Sequence, residues 1–261
     1  MHPRLLTTPY FTIHTFGLLL ATAYLVALWW LVRGAQRAHI NVEAVTSLGT
    51  WAIVGALVGA KVLLFVRSPG EFSGSAADLW SFVTSAGDFY GGFIGGVCAS
   101  ALFFWRHPAL RFWEVADLAA PAIALGQAIG RIGCFMAGDD YGRPTTVPWG
   151  VTFTNPDAAQ IGGAPLGVPL HPVQLYESLV CAVLFVVLVR LGRRRHREGD
   201  VILVYTMLYA VARFVLEFYR GDADRGFVLG GMLSTSQFIG VLMFALALVL
   251  WFRAHRAVRR S

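Results

Sequence analysis

The sequence predicts an all-α integral membrane protein with about seven transmembrane helices and a small extracytoplasmic cap that can contain short strands. Three observations support this fold class. The chain of 261 residues is 56% hydrophobic, and only 14% of its residues are charged. Apolar runs of about 18 or more residues, long enough to cross a bilayer as helices, recur along it. Its arginines cluster between these runs, as they do at the ends of transmembrane helices.

Seven apolar runs are candidates for spans. They cover approximately Thr15–Val32, Ala44–Val66, Phe89–Trp105, Val115–Met136, Val173–Leu191, Val201–Tyr219 and Met232–Phe252. The second run contains Gly55 and Gly59, whose spacing lets two membrane helices approach closely. The sequence shows no repeat of fixed period and no second domain, so residues 1–261 are predicted to form a single polytopic membrane domain.

The basic residues predict the orientation of the chain. Most arginines follow the first, third, fifth and seventh spans, whereas most loop acids lie in the other links. Because basic loops stay in the cytoplasm, we expect the N-terminus outside and the C-terminus inside. The longest polar connection, about residues 137–172, is then extracytoplasmic. Alternation of side chains over Val147–Thr154 predicts a short strand within it.

The net charge of +6 does not indicate a nucleic-acid partner. Arginines clustered between apolar spans instead report orientation and contact with anionic lipid. Cys98, Cys134 and Cys181 lie within or at the ends of apolar runs and lack metal or redox spacing. We therefore expect no metal, no cofactor and no nucleic acid, with the membrane as the environment of the chain.

The stretch GQAIGRIGCFMAGDDYG, residues 126–142, begins in an apolar run and carries Arg131. An arginine at that depth costs about 2.5–3.5 kcal/mol on insertion scales, so it indicates a functional site. Neighbouring glycines, among them Gly130 and Gly133, allow backbone or a lipid head group to come close. The alternative is an arginine that reaches back to the interface, among glycines that only pack helices.

With this orientation, most ionisable residues of the spans fall in their outer halves, which predicts a shared polar cavity open to the outer leaflet. The polar residues of these outer halves are Lys61, Tyr90, Arg131, His171, Gln174, Tyr176, Glu177, Arg213 and Glu217. Arg213 and Glu217 are four apart and can pair on one helix face.

Arg131 and Arg213 come from two helices and can together form a clamp for a phosphate group. A lipid phosphate is the natural anion at that depth. The alternative is a structural ion-pair network among the helices. We favour the clamp because the two arginines and Lys61 outnumber the deep acids and leave room for an anion.

Five motifs, in order and spacing, resemble the bacterial prolipoprotein diacylglyceryl transferase family nearly from end to end. They are residues 13–17 (IHTFG), 89–92 (FYGG), 130–135 (GRIGCF), 171–177 (HPVQLYE) and 213–220 (RFVLEFYR). The resemblance implies transfer of the diacylglyceryl group of phosphatidylglycerol to the thiol of a lipobox cysteine in a prolipoprotein signal peptide. It also implies a multi-pass protein of the bacterial plasma (inner) membrane, with the active site facing the outer leaflet.

The polar residues of the outer halves and the resemblance together give the expected site residues. Tyr90, Arg131, Arg213 and Glu217 are expected to be catalytic. Substrate-binding residues are expected at Arg131, Arg213, His14, Lys61, Gly142, His171, Gln174, Tyr176 and Glu177. The chain departs from the family pattern at Cys134 and Ala137 (asparagines in the family), Asp139 (glutamate), Tyr90 (histidine) and Phe16 (tyrosine).

The implied reaction needs an ionised thiol, whose pKa is about 8.5 when unperturbed. A cationic cavity favours the thiolate and stabilises charge on the departing phosphate. Tyr90, Glu217 and His14 stay open as the group that takes the proton. Two rival functions stay open as well. One is a family paralogue that binds a phospholipid or another anion without transferring it. The other is an anion or lipid transporter, which the apolar inner half disfavours.

Overall fold

Long apolar helices dominate the computed structural model, which describes residues 1–8, 11–68, 70, 75, 78–79, 82–83, 87–194, 197–222 and 226–258. The helices are α1 (Thr15–Arg37), α2 (Val42–Arg67), α3 (Phe89–Arg106), α4 (Phe112–Ala137), α5 (Pro156–Gly162), α6 (Val173–Gly192), α7 (Asp200–Leu216) and α8 (Thr235–Val258). A 3-10 turn, Glu217–Tyr219, continues α7. Within the described residues, six segments are long and apolar enough to cross a membrane: α1, α2, α4, α6, α7 with its 3-10 turn, and α8.

All seven predicted apolar runs form helices, which confirms the all-α class. The helix of the third run, α3, has 18 residues, four of which are glycine. The count of seven spans and the orientation of the termini stay predictions. Arg259 and Arg260, which contribute to the predicted orientation, lie outside the described residues.

Short antiparallel strand pairs lie in the connections between the helices. The strands are β1 (Arg4–Thr7), β2 (Thr12–His14), β3 (Val151–Thr152), β4 (Pro169–Leu170), β5 (Phe227–Val228) and β6 (Leu233–Ser234). They pair β1 with β2, β3 with β4 and β5 with β6. Strand β3 confirms the strand predicted within Val147–Thr154, although only two residues of that stretch form it. The other two hairpins, and helix α5, were not predicted.

The chain divides into two compact units, Met1–Leu31 with Ala116–Ser261 and Val32–Val115. The prediction of one polytopic domain stays a prediction. In the second unit, α2 packs against α3 through glycines. A Cβ on Gly59 would lie 2.3 Å from the carbonyl oxygen of Gly91, and one on Gly95 would lie 2.2 Å from that of Gly55. The two backbones therefore touch, as the spacing of Gly55 and Gly59 predicts.

Gly95→Ala is expected to lower the unfolding temperature, because the added methyl group has no space and must separate α2 from α3. Overpacking of this kind destabilises by about 1–3 kcal/mol. Gly92→Ala is the matched control, since a Cβ there would lie 3.4 Å from the nearest atom, an ordinary contact. Thermal unfolding in detergent measures both variants. Equal unfolding temperatures would contradict the close approach of the two backbones.

In the first unit, α4, α6 and α7 pack around a small apolar core. Its buried residues are Ala120, Ala124, Leu184, Leu188, Val201 and Tyr205. Asp117 on α4 accepts hydrogen bonds from the backbone N–H groups of Gly199 (2.7 Å) and Ile202 (2.9 Å). It therefore caps the N-terminus of α7, where the helix leaves N–H groups without helical partners. These contacts fix α4 and α7 side by side.

Candidate functional site

Arg131 lies in the last two turns of α4 and makes ion pairs with two other elements. Its Nε atom is 3.1 Å from Oε2 of Glu177, near the start of α6. Its Nη1 atom pairs with Oδ2 of Asp140, just beyond α4. Nη1 also lies 3.8 Å from Sγ of Cys134. The Glu177 side chain is only 2% exposed, so Arg131 neutralises a deeply buried carboxylate.

Glu177 also connects Arg131 to α7. The hydroxyl group of Tyr209 donates to Oε1 of Glu177 at 2.8 Å. One turn further along α7, about 6 Å of helix rise, stands Arg213. Its Nη1 atom pairs with Oε2 of Glu217 at 2.5 Å, and its Nη2 atom donates to Ser236 at 3.3 Å. The predicted pairing of Arg213 with Glu217 is confirmed, and α4, α6 and α7 share one polar network.

Arg220 adds a third guanidinium to the site. Its Nη2 atom pairs with Oδ1 of Asp140 and, at 2.5 Å, with Oδ2 of Asp222. Its Nε atom donates to Oδ1 of Asp222 at 2.9 Å. Burial opposes its charge, but Asp222 and Asp140 outweigh burial and raise the pKa of Arg220 above its ordinary value. Arg220 is therefore a permanently charged group, although its side chain is only 8% exposed.

The two acids that follow α4 have opposite electrostatic environments. Burial alone would raise the pKa of Asp140, but Arg131 and Arg220 together lower it below its ordinary value. Burial, and then the neighbouring charge of Asp140, raise the pKa of Asp139. Asp140 is therefore the ionised partner of the two arginines, and Asp139 is the acid that holds a proton more readily.

The turn that carries these acids is held on several sides. The backbone is left-handed at Gly138 (φ 80°) and Asp140 (φ 54°). Gln174 Nε2 donates to the carbonyl oxygen of Asp139 at 2.6 Å. Gly142 forms a β-bridge with Arg220, and a Cβ on Gly142 would lie 2.2 Å from the carbonyl oxygen of His171. A side chain at position 142 would therefore clash with the backbone of His171, so only glycine fits at this predicted site position.

Aromatic side chains surround the start of α6. Nδ1 of His171 lies 3.2 Å from the hydroxyl oxygen of Tyr176, which accepts a hydrogen bond from Trp149 Nε1 at 2.8 Å. The ring of Tyr219 packs edge-on against His171, with centroids 5.3 Å apart. The predicted site residues His171 and Tyr176 are thus in contact, and the 3-10 turn after α7 packs beside them.

For three predicted site residues, the described contacts are with residues outside this network. Lys61 and Tyr90 belong to the unit 32–115. The ammonium of Lys61 donates to the carbonyl oxygen of Phe82 at 2.6 Å and lies over its ring. Tyr90, on the first turn of α3, is 40% exposed and packs edge-on against Phe89. His14 is an exposed residue of strand β2, opposite Arg4.

Asp140, Arg220 and Tyr209 were not predicted as site residues. Because Asp140 and Asp222 join the network, its three arginines contact four carboxylates, those of Glu177, Asp140, Glu217 and Asp222. The predicted excess of cations over acids is therefore wrong within this cluster. One feature of the sequence could have identified Asp140 as a site residue. It is the second acid of a pair that directly follows an arginine-containing span.

Two of the positions that depart from the family pattern, Cys134 and Asp139, lie close to Arg131. Ligand atoms of Cys134, Asp139 and Asp140 lie within 4.8 Å of one another, a spacing that suits a metal ion. Both oxygens of Asp140 are already bound to arginines, however, and the positive charge of these arginines opposes a cation. We therefore assign this group to the ion-pair network. Phe16 also lies here, because its ring would contact a Cβ on Gly133 at 3.3 Å.

The fold and the site together define a class. This is a polytopic helical membrane protein in which arginines and carboxylates from several helices and one long connection are buried near the ends of those helices. An ionisable group within a membrane span indicates a functional site by default.

Comparison with known proteins identifies the family. The family model described as prolipoprotein diacylglyceryl transferase matches residues 3–253, so the chain belongs to this family. Relatives named phosphatidylglycerol–prolipoprotein diacylglyceryl transferase include one from Clostridium tetani, 33% identical over 232 residues, 88% of each chain. Another, from Chromohalobacter salexigens, is 36% identical over 253 residues, which cover 93% of this chain and 89% of the relative. The expected family is thus confirmed.

Proposed function

We propose that the protein transfers the diacylglyceryl group of phosphatidylglycerol to the lipobox cysteine of prolipoproteins. Membership of the family supports the reaction type. The observation that carries the proposal for this chain is the largely buried network of Arg131, Arg213 and Arg220, which carboxylates hold at the end of α4, the start of α6 and the end of α7. A guanidinium group in such surroundings suits a phosphate, because its parallel N–H groups match the phosphate oxygens.

In this proposal, Arg131 and Arg213 bind the phosphate of the lipid head group. Glu177 and Glu217 hold the two guanidinium groups in place and offset their charge until the lipid arrives. Gln174 can contribute a further contact, because its Oε1 atom is buried without a hydrogen-bond partner among the described residues. A buried acceptor left unpaired costs about 1–3 kcal/mol. A hydroxyl group of the glycerol head group would satisfy it, while His171 and Tyr176 line the same turn.

The chemical step forms one bond and breaks one. The cysteine thiol gives its proton to a base, and the thiolate sulfur attacks the glycerol carbon of the diacylglyceryl group that bears the phosphate. A C–S bond forms, the C–O bond to phosphate breaks, and its electron pair leaves with glycerol 1-phosphate. Arg131 and Arg213 stabilise the charge of the leaving phosphate. Tyr90, Glu217 and His14 are the candidates for the base.

The site is proposed to face the outer leaflet of the bacterial plasma membrane. The predicted orientation places the end of α4, the start of α6 and the end of α7 on that side. A secreted prolipoprotein presents its lipobox cysteine there, next to the phospholipid that donates the diacylglyceryl group. The lipid and the signal peptide can then enter from the bilayer, with no water-soluble intermediate and no cofactor.

Complementation and a direct lipidation assay test the proposal. The gene is expressed in a bacterium depleted of its own transferase, and membranes are incubated with phosphatidylglycerol and a model prolipoprotein. We expect growth to be restored and mass spectrometry to find the diacylglyceryl group on the lipobox cysteine. A well-expressed, folded chain that binds phosphatidylglycerol without modifying the cysteine would instead establish the binding-only alternative.

Tyr90→Phe is expected to slow transfer about 10²-fold or more if the Tyr90 hydroxyl group relays the thiol proton, because general acid–base groups contribute that much. Tyr90→His places the residue of the family pattern at this position, and we expect it to retain activity. The measurement is the initial rate of lipidation in membranes that contain equal amounts of each variant. An unchanged rate for Tyr90→Phe would remove Tyr90 from the chemistry and leave Glu217 and His14.

A further inference from the structure

Asp140 is bound by two guanidinium groups that come from different parts of the chain. One carboxylate oxygen pairs with Arg131 at the end of α4, and the other pairs with Arg220 after the 3-10 turn. Each oxygen therefore has its own arginine. A phosphate group offers the same arrangement, two anionic oxygens on one central atom, to the same pair of donors.

The backbone around Asp140 is fixed, whereas its side chain is the adjustable part. Gln174 holds the carbonyl group of Asp139, and Gly142 is bridged to Arg220 and packed against His171. The side chain of Asp140, by contrast, is 26% exposed. Rotation about its χ1 angle would release both arginines without moving the turn, since rotamer changes are fast and local.

Charge balance explains why the carboxylate must leave before an anion binds. With Asp140 in place, Arg131 and Arg220 already contact three carboxylates, those of Glu177, Asp140 and Asp222. A phosphate added to this cluster would meet net negative charge. Removing Asp140 from between the arginines leaves two outer carboxylates and frees one donor edge on each guanidinium.

We propose that Arg220 joins Arg131 and Arg213 in binding the phosphate, and that Asp140 occupies the subsite between Arg131 and Arg220 as an internal, displaceable ligand. The ligand class is a phosphate ester, whether the phosphodiester of a lipid head group or a free phosphate. This inference deepens the proposed function and rests on it for the identity of the lipid. Phosphate binding itself does not depend on catalysis. Asp140 sets the affinity, because every ligand competes with it for the two arginines.

The test measures binding to the full chain purified in detergent, by isothermal titration calorimetry. The probes are dihexanoyl phosphatidylglycerol and, separately, inorganic phosphate. Asp140→Asn keeps the shape of the side chain and tolerates the left-handed backbone, but removes the competing charge. If the internal ligand occupies the subsite about nine-tenths of the time, its loss tightens binding roughly tenfold. Asp222→Asn removes one charge from Arg220 without emptying the subsite, and Asp157→Asn removes a charge near Arg4.

We expect Asp140→Asn to bind roughly tenfold more tightly than the wild type, Asp222→Asn to gain much less, and Asp157→Asn to be unchanged. A gain for the lipid probe identifies the head group as the ligand, and a gain for inorganic phosphate alone identifies a free phosphate. Equal gains in Asp140→Asn and Asp222→Asn, or none in either, would overturn the proposal. If Asp140→Asn binds phosphate more tightly but the wild-type protein fails to lipidate prolipoprotein, the subsite stands and the transferase function is refuted.

A second measurement uses the wild type and does not depend on the folding of a variant. Carbodiimide labelling of carboxyl groups, mapped by mass spectrometry, reports how accessible Asp140 is. Displacement predicts that labelling of Asp140 rises when dihexanoyl phosphatidylglycerol is added, while labelling of Asp157 stays constant. Protection of Asp140 by the lipid would show that the carboxylate stays between the arginines, which contradicts the proposal.

Discussion

Arg131→Ala is expected to lower diacylglyceryl transfer by on the order of 10²–10³-fold, the loss typical when one preorganised charge at a transition state is removed. Arg131 is the residue through which the site is connected, since it pairs with Glu177 on α6 and with Asp140 after α4. Its removal takes a cation from the phosphate, leaves Glu177 without its arginine and leaves Asp140 paired with Arg220 alone. Initial rates of lipidation in membranes measure the effect.

Arg131→Ala can lose activity because the phosphate loses a cation or because the protein is destabilised. A buried carboxylate without its partner destabilises a protein by about 3–5 kcal/mol. Glu177 is 2% exposed, so the variant will also unfold at lower temperature. Arg131→Ala combined with Glu177→Gln removes both charges and is expected to recover most of the stability while staying inactive. Recovered activity in the double variant would show that Arg131 only balances Glu177 and does not bind phosphate.

Much of the fold follows from the sequence because membrane helices obey a simple constraint. In lipid the backbone must satisfy its own hydrogen bonds, so each long apolar run becomes a helix. The predicted starts of the helices differ from the observed ones by three residues or fewer, as at Ala44 against Val42 and Met232 against Thr235. The spacing of Arg213 and Glu217 likewise fixes their pairing, because four residues make about one turn.

The contacts of Asp140 could not be predicted from the sequence in the same way. Its partner Arg220 is 80 residues away, and the pair forms only because a left-handed turn aims the carboxylate back toward the end of α4. Neither fact follows from periodicity. Strands β5 and β6 and the N-terminal hairpin are also too short for an alternating pattern to stand out. Local rules therefore identified Arg131, Arg213 and Glu217, while the pairing of Asp140 with Arg220 depends on tertiary structure.

Arg213→Ala is expected to lower transfer by a similar factor, on the order of 10²–10³-fold, even though Arg213 contacts neither Glu177 nor Asp140 in the pairs described above. It reaches the network through α7, one turn beyond Tyr209, and its own partner Glu217 has a side chain only 2% exposed. If Arg213 is the second arm of the phosphate clamp, its loss weakens binding of phosphatidylglycerol as well as the chemical step. The variant is therefore assayed over a range of lipid concentrations, which separates KM from kcat. A variant with half of the wild-type activity or more would exclude the clamp.

Glu217→Gln is the matched comparison for Arg213→Ala, because it breaks the same ion pair and keeps the cation. If Glu217 only balances the charge of Arg213, we expect Glu217→Gln to have an unchanged or lower KM for phosphatidylglycerol and little change in kcat. If Glu217 accepts the thiol proton, we expect Glu217→Gln to lower kcat by about 10²–10⁴-fold with KM nearly constant. The Arg213 variant loses a binding charge in either case, so KM rises there alone. The two residues form one ion pair 2.5 Å apart, but these kinetics assign them separate roles.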